Sequence, residues 1–544
     1  MSLLFAHQPE FARHAMVVTQ EPLAADVGLR VLQSGGNAID AAVAVAFALA
    51  VTYPFAGNIG GGGFMLARMA DGRATFIDFR QKAALASTRN MYLDSKGNVT
   101  ADTLVGWRAA GVPGTVRGME LAHQKYGRKP WAELVDPALK LATEGFSVSY
   151  TLDASLHSAG EMKLLSQFPD SKRIFLGAHY GDTLVQAELA ATLKRVRDRG
   201  ASDFYEGETA QKLAAAMASN GGLITLADLK AYQAVEQEPL RGRYHGDEII
   251  TSPPPSAGGV GLLQMLGMLE GSGYQKTGAG SAASIHYVAE VMRRFYADRS
   301  EYFGDPDFYK VPVRKLLDPH YIMTRRSSID ALHATPSSQL RPGELGGHEG
   351  TETTHFNIVD AEGNAVAVTY TLNNGYGSGV TVPGLGFLLN DEMDDFASKP
   401  GTENLFHLIQ GEANAIQPGK RPVSSMTPTI VTRGGKLFLM LGAPGGSRII
   451  NGVLQVILNV EDFHMNVQEA VDWPRFHHQW MPDVLYLERG ISPDTVALLR
   501  AMGHEIAPAE SNSPVVARVE AILNDGDWLQ GATDPRGNGK AEGY

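Results

Sequence analysis

Residues 350–379 read GTETTHFNIVDAEGNAVAVTYTLNNGYGSG. Two apolar, β-branched runs flank the short polar stretch Ala361-Glu362-Gly363, and that pattern predicts a β-hairpin. With the turn centred on Glu362, residues whose numbers add to twice 362 stand opposite one another, so Thr353 faces Thr371. Directly opposed side chains share a face of the sheet, and the two-residue period brings Asn373 to the same face.

Two further hairpins extend this reading. Residues 64–70 and 74–80 flank Asp71-Gly72, a strong two-residue turn signal. Folding about that turn sets Arg80 opposite Gly63, the last residue of the run Gly60-Gly61-Gly62-Gly63. Residues 427–432 and 437–443 flank Arg433-Gly434-Gly435-Lys436, which draws Ser424 and Ser425 toward Pro444, Gly445 and Gly446. All three hairpins thus carry polar or glycine clusters at their open ends.

Outside the hairpins, helical periodicity dominates residues 130–197 and 285–299, and helices return after Gly446. Pro130 suits a first helical position. The most apolar run, residues 41–51, is too short for the roughly 20 residues of a membrane span and follows Asn37, a good N-cap. A buried core helix is predicted there. Helical segments around strand-rich ones suggest sheets packed between helical layers.

The 544 residues carry 44% hydrophobic and 19% charged side chains, an ordinary globular composition. A net charge of −12 speaks against a nucleic-acid partner, which requires a basic stripe. With no cysteine, disulfides, thiolate catalysis and cysteine zinc sites are excluded. The opening segment lacks a basic region followed by an apolar one, so it does not read as a signal peptide, and a cytoplasmic location is the expectation from that feature.

A threonine hydroxyl is a weak nucleophile until a base takes its proton, and one available base is the threonine's own α-amine. For Thr353 that amine exists only after the bond from Glu352 is broken, a step its hydroxyl can begin by attacking the preceding carbonyl. Taken alone, Thr353-Thr354 reads far more readily as the β-branched start of a strand.

The quoted stretch resembles the start of the small subunit of the γ-glutamyltranspeptidase family. The resemblance continues through GFLLNDEMDDFASKPG (386–401), KRPVSSMTPTIV (420–431), GAPGGSRII (442–450), PRFHHQW (474–480) and ATDPR (532–536). Upstream it runs through AGNIGGGGFM (56–65), IDFR (77–80), AAGVPGTV (109–116), DFYEG (203–207), NGGLIT (220–225), SPPPSAGG (252–259) and ADRSEYFGDPDF (297–308), in family order. It implies an α+β, four-layer αββα N-terminal nucleophile hydrolase fold. It also implies a precursor cut into residues 1–352 and 353–544, which together form one composite domain.

Carried over position by position, the resemblance makes Thr353 the nucleophile, Thr371 its hydrogen-bonding partner, and Gly445 and Gly446 the oxyanion hole. Arg80 takes the α-carboxylate of a γ-linked glutamate, with Ser424 and Ser425 in support. Asn373, Glu392 and Asp395 surround its α-ammonium. Some relatives have glutamine at the position of Glu392. Residues 400–411 resemble a lid in which Phe406 stands where certain bacterial members have tyrosine. The implied activity is transfer of γ-glutamyl groups from glutathione or similar donors to water, amino acids or peptides, with no cofactor and no metal. Bacterial relatives are commonly periplasmic or secreted, which would apply here if the N-terminus has been trimmed.

Two rivals remain. One is an acylase of the same fold acting on glutaryl side chains, which lack the α-ammonium and so have no use for the acidic cluster. The other is an unprocessed binding relative. Two superficially suggestive motifs carry less: residues 57–63 lack the Lys-Ser/Thr of a phosphate-binding loop, and the adjacent His477 and His478 lack a metal-ligand spacing. Both are expected to be structural.

Overall fold

The computed structural model describes residues 7–340, 352–399, 411–507 and 516–544. Fourteen strands form the two main sheets: β1 (Glu10–Ala12), β2 (Met16–Thr19), β3 (Gly62–Arg68), β4 (Ala74–Asp78), β5 (Val235–Gln237), β6 (Leu240–Tyr244), β7 (Asp247–Thr251), β8 (Glu352–Val359), β9 (Ala365–Asn373), β10 (Thr429–Arg433), β11 (Lys436–Gly442), β12 (Glu520–Asn524), β13 (Leu529–Ala532) and β14 (Lys540–Gly543). One sheet has the order β1-β13-β12-β11-β10-β7-β6, the other β14-β2-β8-β9-β3-β4-β5. The helices include α1 (Pro22–Gln33), α2 (Ala38–Thr52), α3 (Tyr150–Leu156), α4 (Pro169–Phe175), α5 (Gly258–Leu269), α6 (Ala282–Tyr302) and α7 (Arg448–Glu461).

Side-chain alternation explains the layering. Along β8, Phe356 and Ile358 join Val366, Val368 and Tyr370 of β9 in a core shared with α1 and α2. Their neighbours Val359, Ala365 and Ala367 point the other way, into a second core. That core reaches across Ile430, Leu439 and Leu441 of the facing sheet to α5, α6 and α7. The result is helices, sheet, sheet, helices: the αββα arrangement.

The apolar run at 41–51 lies within α2, in which every residue is buried. Asn37 and Asp40 close a reciprocal capping box at its start, an arrangement that stabilises a helix by roughly 1 kcal/mol. Pro130 stands at the N-cap of the next predicted helix, which begins at Trp131. Among the described residues no helix is long and apolar enough to cross a membrane.

The central hairpin has the predicted register, with Thr354 opposite Tyr370, His355 opposite Thr369 and Val359 opposite Ala365. It breaks at one place. Glu352 pairs with Asn373, so between that pair and Thr354–Tyr370 a single residue, Thr353, confronts two, Thr371 and Leu372. This is a β-bulge with the extra residue on β9. The β3–β4 hairpin differs from expectation by one position: Phe79, not Arg80, exchanges hydrogen bonds with Gly63. The tight turn closes between Met69 and Arg73, which shifts the pairing.

Candidate active site

The open ends of the three hairpins meet. Arg80, Thr353, Thr371, Asn373, Glu392, Asp395, Ser424, Ser425 and Gly446 line one small, tightly filled cleft with Met426 and Ile449. Nine of the ten residues singled out in the sequence therefore surround one space. The tenth, Gly445, is the chain neighbour of Gly446.

Alternation decides which threonine of the pair faces this space. Thr354 pairs with Tyr370, whose ring lies in the helix-side core. Thr353 is on the opposite face of β8, between the sheets, and is 4% exposed. His355 and Asn357 follow it on that face. His355 Nδ1 bonds Thr369 Oγ1 at 2.8 Å, its Nε2 bonds Asn357 Oδ1 at 3.1 Å, and Asn357 Nδ2 donates to the Glu520 carbonyl of the facing sheet at 2.8 Å. Burial pushes the His355 pKa down to about 3, so it is neutral at pH 7. This polar column clamps the two sheets directly behind Thr353.

Arg80 is buried, and its guanidinium pairs with both Glu392 and Asp395. It also donates to the carbonyl of Val423 at 2.9 Å. The acidic pair is thus already engaged with the arginine and does not stand apart from it. Burial raises the Glu392 pKa well above the usual carboxylate range; Arg80 opposes the shift, while Asp395 and Asp391 reinforce it. Asn373 adopts φ +84°, a left-handed conformation that asparagine tolerates. Its N–H donates to Thr371 Oγ1 at 2.7 Å and its Nδ2 to the Asp391 carbonyl at 3.1 Å.

Ser424 is fixed from the 252–257 loop and Ser425 from α6. Ala257 N donates to the Ser424 carbonyl at 2.7 Å, Ser424 N to that of Pro255 at 3.0 Å, and Arg299 reaches Ser425 Oγ at 3.1 Å. Gly445 and Gly446 have φ +132° and +55°, and a Cβ on Gly445 would stand 2.9 Å from Ala517 Cα. Among the described residues neither N–H donates to a protein acceptor. Just beyond them Ser447 holds the N-cap position of α7 without a side-chain capping bond, and the N-terminal dipole of that helix favours negative charge.

The discounted motifs have structural places. In the run Gly60–Gly63, any Cβ would come within about 2.5 Å of a neighbouring backbone carbonyl, that of Thr371 lying 2.0 Å from a Cβ on Gly61. Gly61 and Gly63 let the chain approach β9, while Gly60 and Gly62 make room for the carbonyls of Leu388 and Phe79. His477 accepts from Asn451 Nδ2 at 2.8 Å and bonds Gln479 Oε1 at 2.8 Å, while Gln479 also takes the hydroxyl of Ser447 at 3.0 Å. His478 accepts from Trp480 N at 3.0 Å. Burial lowers their pKa values to about 3 and about 4. Phe406 and the 400–410 segment lie outside the described residues.

Gln81, His355 and Asn357 were not singled out in the sequence. Gln81 is fully buried and its Nε2 donates to Glu392 Oε2 at 2.5 Å and to the Thr371 carbonyl at 3.1 Å. Its position beside Arg80 was the available signal, and alternation from Thr353 was the signal for the other two.

Two seven-stranded sheets between helices, with a threonine at the head of a central strand, are the architecture of an N-terminal nucleophile hydrolase. Over nearly its whole length the chain agrees with the cephalosporin acylase of Bacillus halodurans (TM-score 0.86, 27% identity, 99% of this chain and 97% of that one). The γ-glutamyltranspeptidase of Helicobacter pylori aligns over 63% of this chain and 97% of its own, with 42% identity and TM-score 0.59. A glutathione hydrolase proenzyme of Escherichia coli K12 is 48% identical over 535 residues, covering 97% of this chain and 91% of that protein. The family model described as gamma-glutamyltranspeptidase matches residues 24–544. The chain belongs to the γ-glutamyltranspeptidase family.

Proposed function

We propose that the chain cuts itself between Glu352 and Thr353 and then transfers γ-glutamyl groups, from glutathione or related donors, to water, amino acids or peptides. The observation that carries this reading is the shared cleft: a threonine at the head of β8, two positive-φ glycines before α7, and a buried arginine between two carboxylates.

In self-cleavage, Thr353 Oγ attacks the Glu352 carbonyl, the peptide C–N bond gives way to an ester, and water hydrolyses that ester. The freed α-amine then serves as base. In turnover, Thr353 Oγ attacks the carbonyl carbon of the substrate's γ-glutamyl amide and passes its proton to the α-amine. Gly445 and Gly446 N–H groups hold the oxyanion, a role typically contributing roughly 3–4 kcal/mol per donor. The amide C–N bond breaks, the leaving amine takes the proton, and water or an acceptor amine resolves the ester. Thr371, within the bulge, orients the nucleophile.

The arginine cluster suits a zwitterion. The substrate α-carboxylate takes Arg80 donors bidentately, and the carboxylates so released receive the α-ammonium with Asn373. Ser424 and Ser425 support the carboxylate. A division at 352/353 is in keeping with the H. pylori alignment, since 352 of 544 residues is about 65% and that chain covers 63%.

The acylase reading draws on the fold likeness, but a glutaryl group would draw Arg80 donors to its carboxylate without bringing the ammonium that replaces them at the buried Glu392 and Asp395. The test is direct. Wild-type protein should give two bands on a denaturing gel, the smaller beginning Thr-Thr-His-Phe, and should release p-nitroaniline from a γ-glutamyl anilide far faster than from a glutaryl anilide. Thr353→Ala should leave one band and no turnover. A T353A protein that still splits or still turns over would sink the assignment.

A further inference from the structure

Asn414 is fully buried, yet it is not among the residues that line the cleft. It closes a short 3₁₀ turn, Glu412–Asn414. A second such turn, Glu392–Asp395, carries the two cleft carboxylates. The side-chain amide of Asn414 is engaged at both ends. Its Nδ2 donates to the Asp395 carbonyl at 2.5 Å, and its Oδ1 accepts from Val423 N at 3.2 Å. One partner is an acceptor and the other a donor, which fixes the orientation of the amide.

Arg80 grips the same two residues. Its guanidinium pairs with the Asp395 carboxylate and donates to the Val423 carbonyl at 2.9 Å. Asp395 ends the acidic turn, and Val423 leads directly into Ser424 and Ser425. One rigid amide therefore spans the gap between the acidic turn and the serine segment. Arg80 spans that gap as well, but a substrate carboxylate draws its donors away. Asn414 holds backbone groups only, so its two bonds need not change when substrate enters.

The turn that bears Asn414 is itself pinned. Lys420 is buried, and it donates to the carbonyls of Ala413 at 2.7 Å and Ala415 at 3.0 Å, the residues on either side of Asn414. Hydrogen bonds from a charged donor are roughly twice as strong as neutral ones. Ala397 N donates to the Asn414 carbonyl at 2.9 Å, and Ala397 and Ala415 form a parallel bridge. The Lys420 carbonyl in turn accepts from Ala83 N at 2.8 Å, three residues beyond Arg80. Asn414 is thus held from the acidic turn, from Lys420 and from the serine segment.

On the γ-glutamyl reading of the cleft, on which this inference rests, we propose that Asn414 is a positioning residue for substrate recognition. Its amide sets the separation at which Glu392 and Asp395 take the α-ammonium while Arg80, Ser424 and Ser425 take the α-carboxylate. Its hydrogen bonds reach neither Thr353 nor the Gly445–Gly446 pair. Loss of the amide therefore weakens binding of the zwitterion and leaves bond breaking nearly untouched. A glutaryl group, which has no ammonium, gains less from the correct separation.

The test is steady-state kinetics of full-length wild type, Asn414→Ala and Asn414→Asp on a γ-glutamyl and a glutaryl anilide, with self-cleavage followed on a gel. N414A should raise KM for the γ-glutamyl anilide at least tenfold, keep kcat within about threefold, and narrow the preference over the glutaryl anilide. In N414D at pH 8 the ionised carboxylate accepts from Val423 N but cannot donate to the Asp395 carbonyl, so KM is raised there too. Burial and the nearby carboxylates of Glu392, Asp395, Asp305 and Glu412 favour its neutral form, against Arg80, Lys420 and Arg89. The neutral form donates again. The KM of N414D relative to wild type should therefore fall several-fold from pH 8 to pH 6, while the N414A ratio stays flat. An unchanged KM in N414A, a flat N414D ratio, or loss of self-cleavage in both variants would overturn the proposal with the γ-glutamyl reading intact. A wild type that does not prefer the γ-glutamyl anilide would overturn that reading and this inference with it.

Discussion

At the scale of single residues, the least expected finding is Gln81. Its two near acceptors, Glu392 Oε2 and the Thr371 carbonyl, fix the amide orientation, so its NH₂ must point at both. It thereby connects the carboxylate assigned to the substrate ammonium with the strand assigned to the nucleophile's partner. Gln81→Leu removes both hydrogen bonds, to the Thr371 carbonyl and to the buried Glu392 carboxyl, each worth about 1 kcal/mol or more. KM for a γ-glutamyl anilide should rise about tenfold or more, while the preference over a glutaryl anilide narrows. Steady-state kinetics on both anilides measure this; an unchanged preference would reduce Gln81 to packing. A second residue-scale prediction concerns His477, whose burial lowers its pKa to about 3 from an ordinary 6.5. Below pH 6.5 only the unfolded chain gains that proton, so the residue destabilises the fold increasingly as pH falls toward 3. The slope is about 1.4 kcal/mol per pH unit. His477→Gln should therefore show a shallower loss of stability than wild type in urea melts between pH 6 and 4.

Among the elements, β3 and the β8–β9 hairpin matter most. Thr371 pairs with Gly62 in the ladder, and its carbonyl would lie 2.0 Å from any Cβ on Gly61. An alanine there must push β3 away from β9 or displace Thr371. Gly61→Ala is expected to destabilise by a few kcal/mol, in the range of overpacked core substitutions, and to depress self-cleavage more than α7 variants remote from the cleft. Melting temperature and the fraction of uncut chain on a gel report the two effects separately. The bulge at Thr353 belongs to the same scale. It interrupts the ladder where the strand must present a hydroxyl and not simply another pair.

Across the whole molecule, strands from either side of residue 352 alternate within both sheets. In one, β8, β9 and β14 from the C-terminal part lie among β2, β3, β4 and β5; in the other, β10 to β13 lie among β1, β6 and β7. Cutting the chain at 352/353 breaks one covalent bond at the first residue of β8, beyond which only the Glu352–Asn373 pair lies; the pairing of β8 with β2 and of β9 with β3 still joins the two parts. The two fragments should co-elute on size exclusion without denaturant and separate only in urea or detergent. Residues 1–352 expressed alone should fail to fold, because β2 and β3 would each expose an unpaired edge. A soluble, folded 1–352 fragment would contradict that expectation.

What the sequence determined by itself was local: the hairpin with its register about Glu362, the buried helix after Asn37, and the glycines that only close approach explains. These rest on turn chemistry, capping and two-residue alternation, which act over a few residues. The family motifs added which residues belong together. Tertiary structure decided the rest. Arg80 sits one position off the predicted register because the turn at residues 69–73 is tight, and it is bound to Glu392 and Asp395 through a loop more than 300 residues away. The bulge at Thr353, the engagement of Gln81, and the clamp from His355 through Asn357 to Glu520 likewise depend on contacts between distant segments. No local pattern encodes such contacts, because they arise only when two sheets close on one another. The Thr353–Thr371 pairing that began as a register about one turn thus became a bulge within a buried, charge-paired cleft.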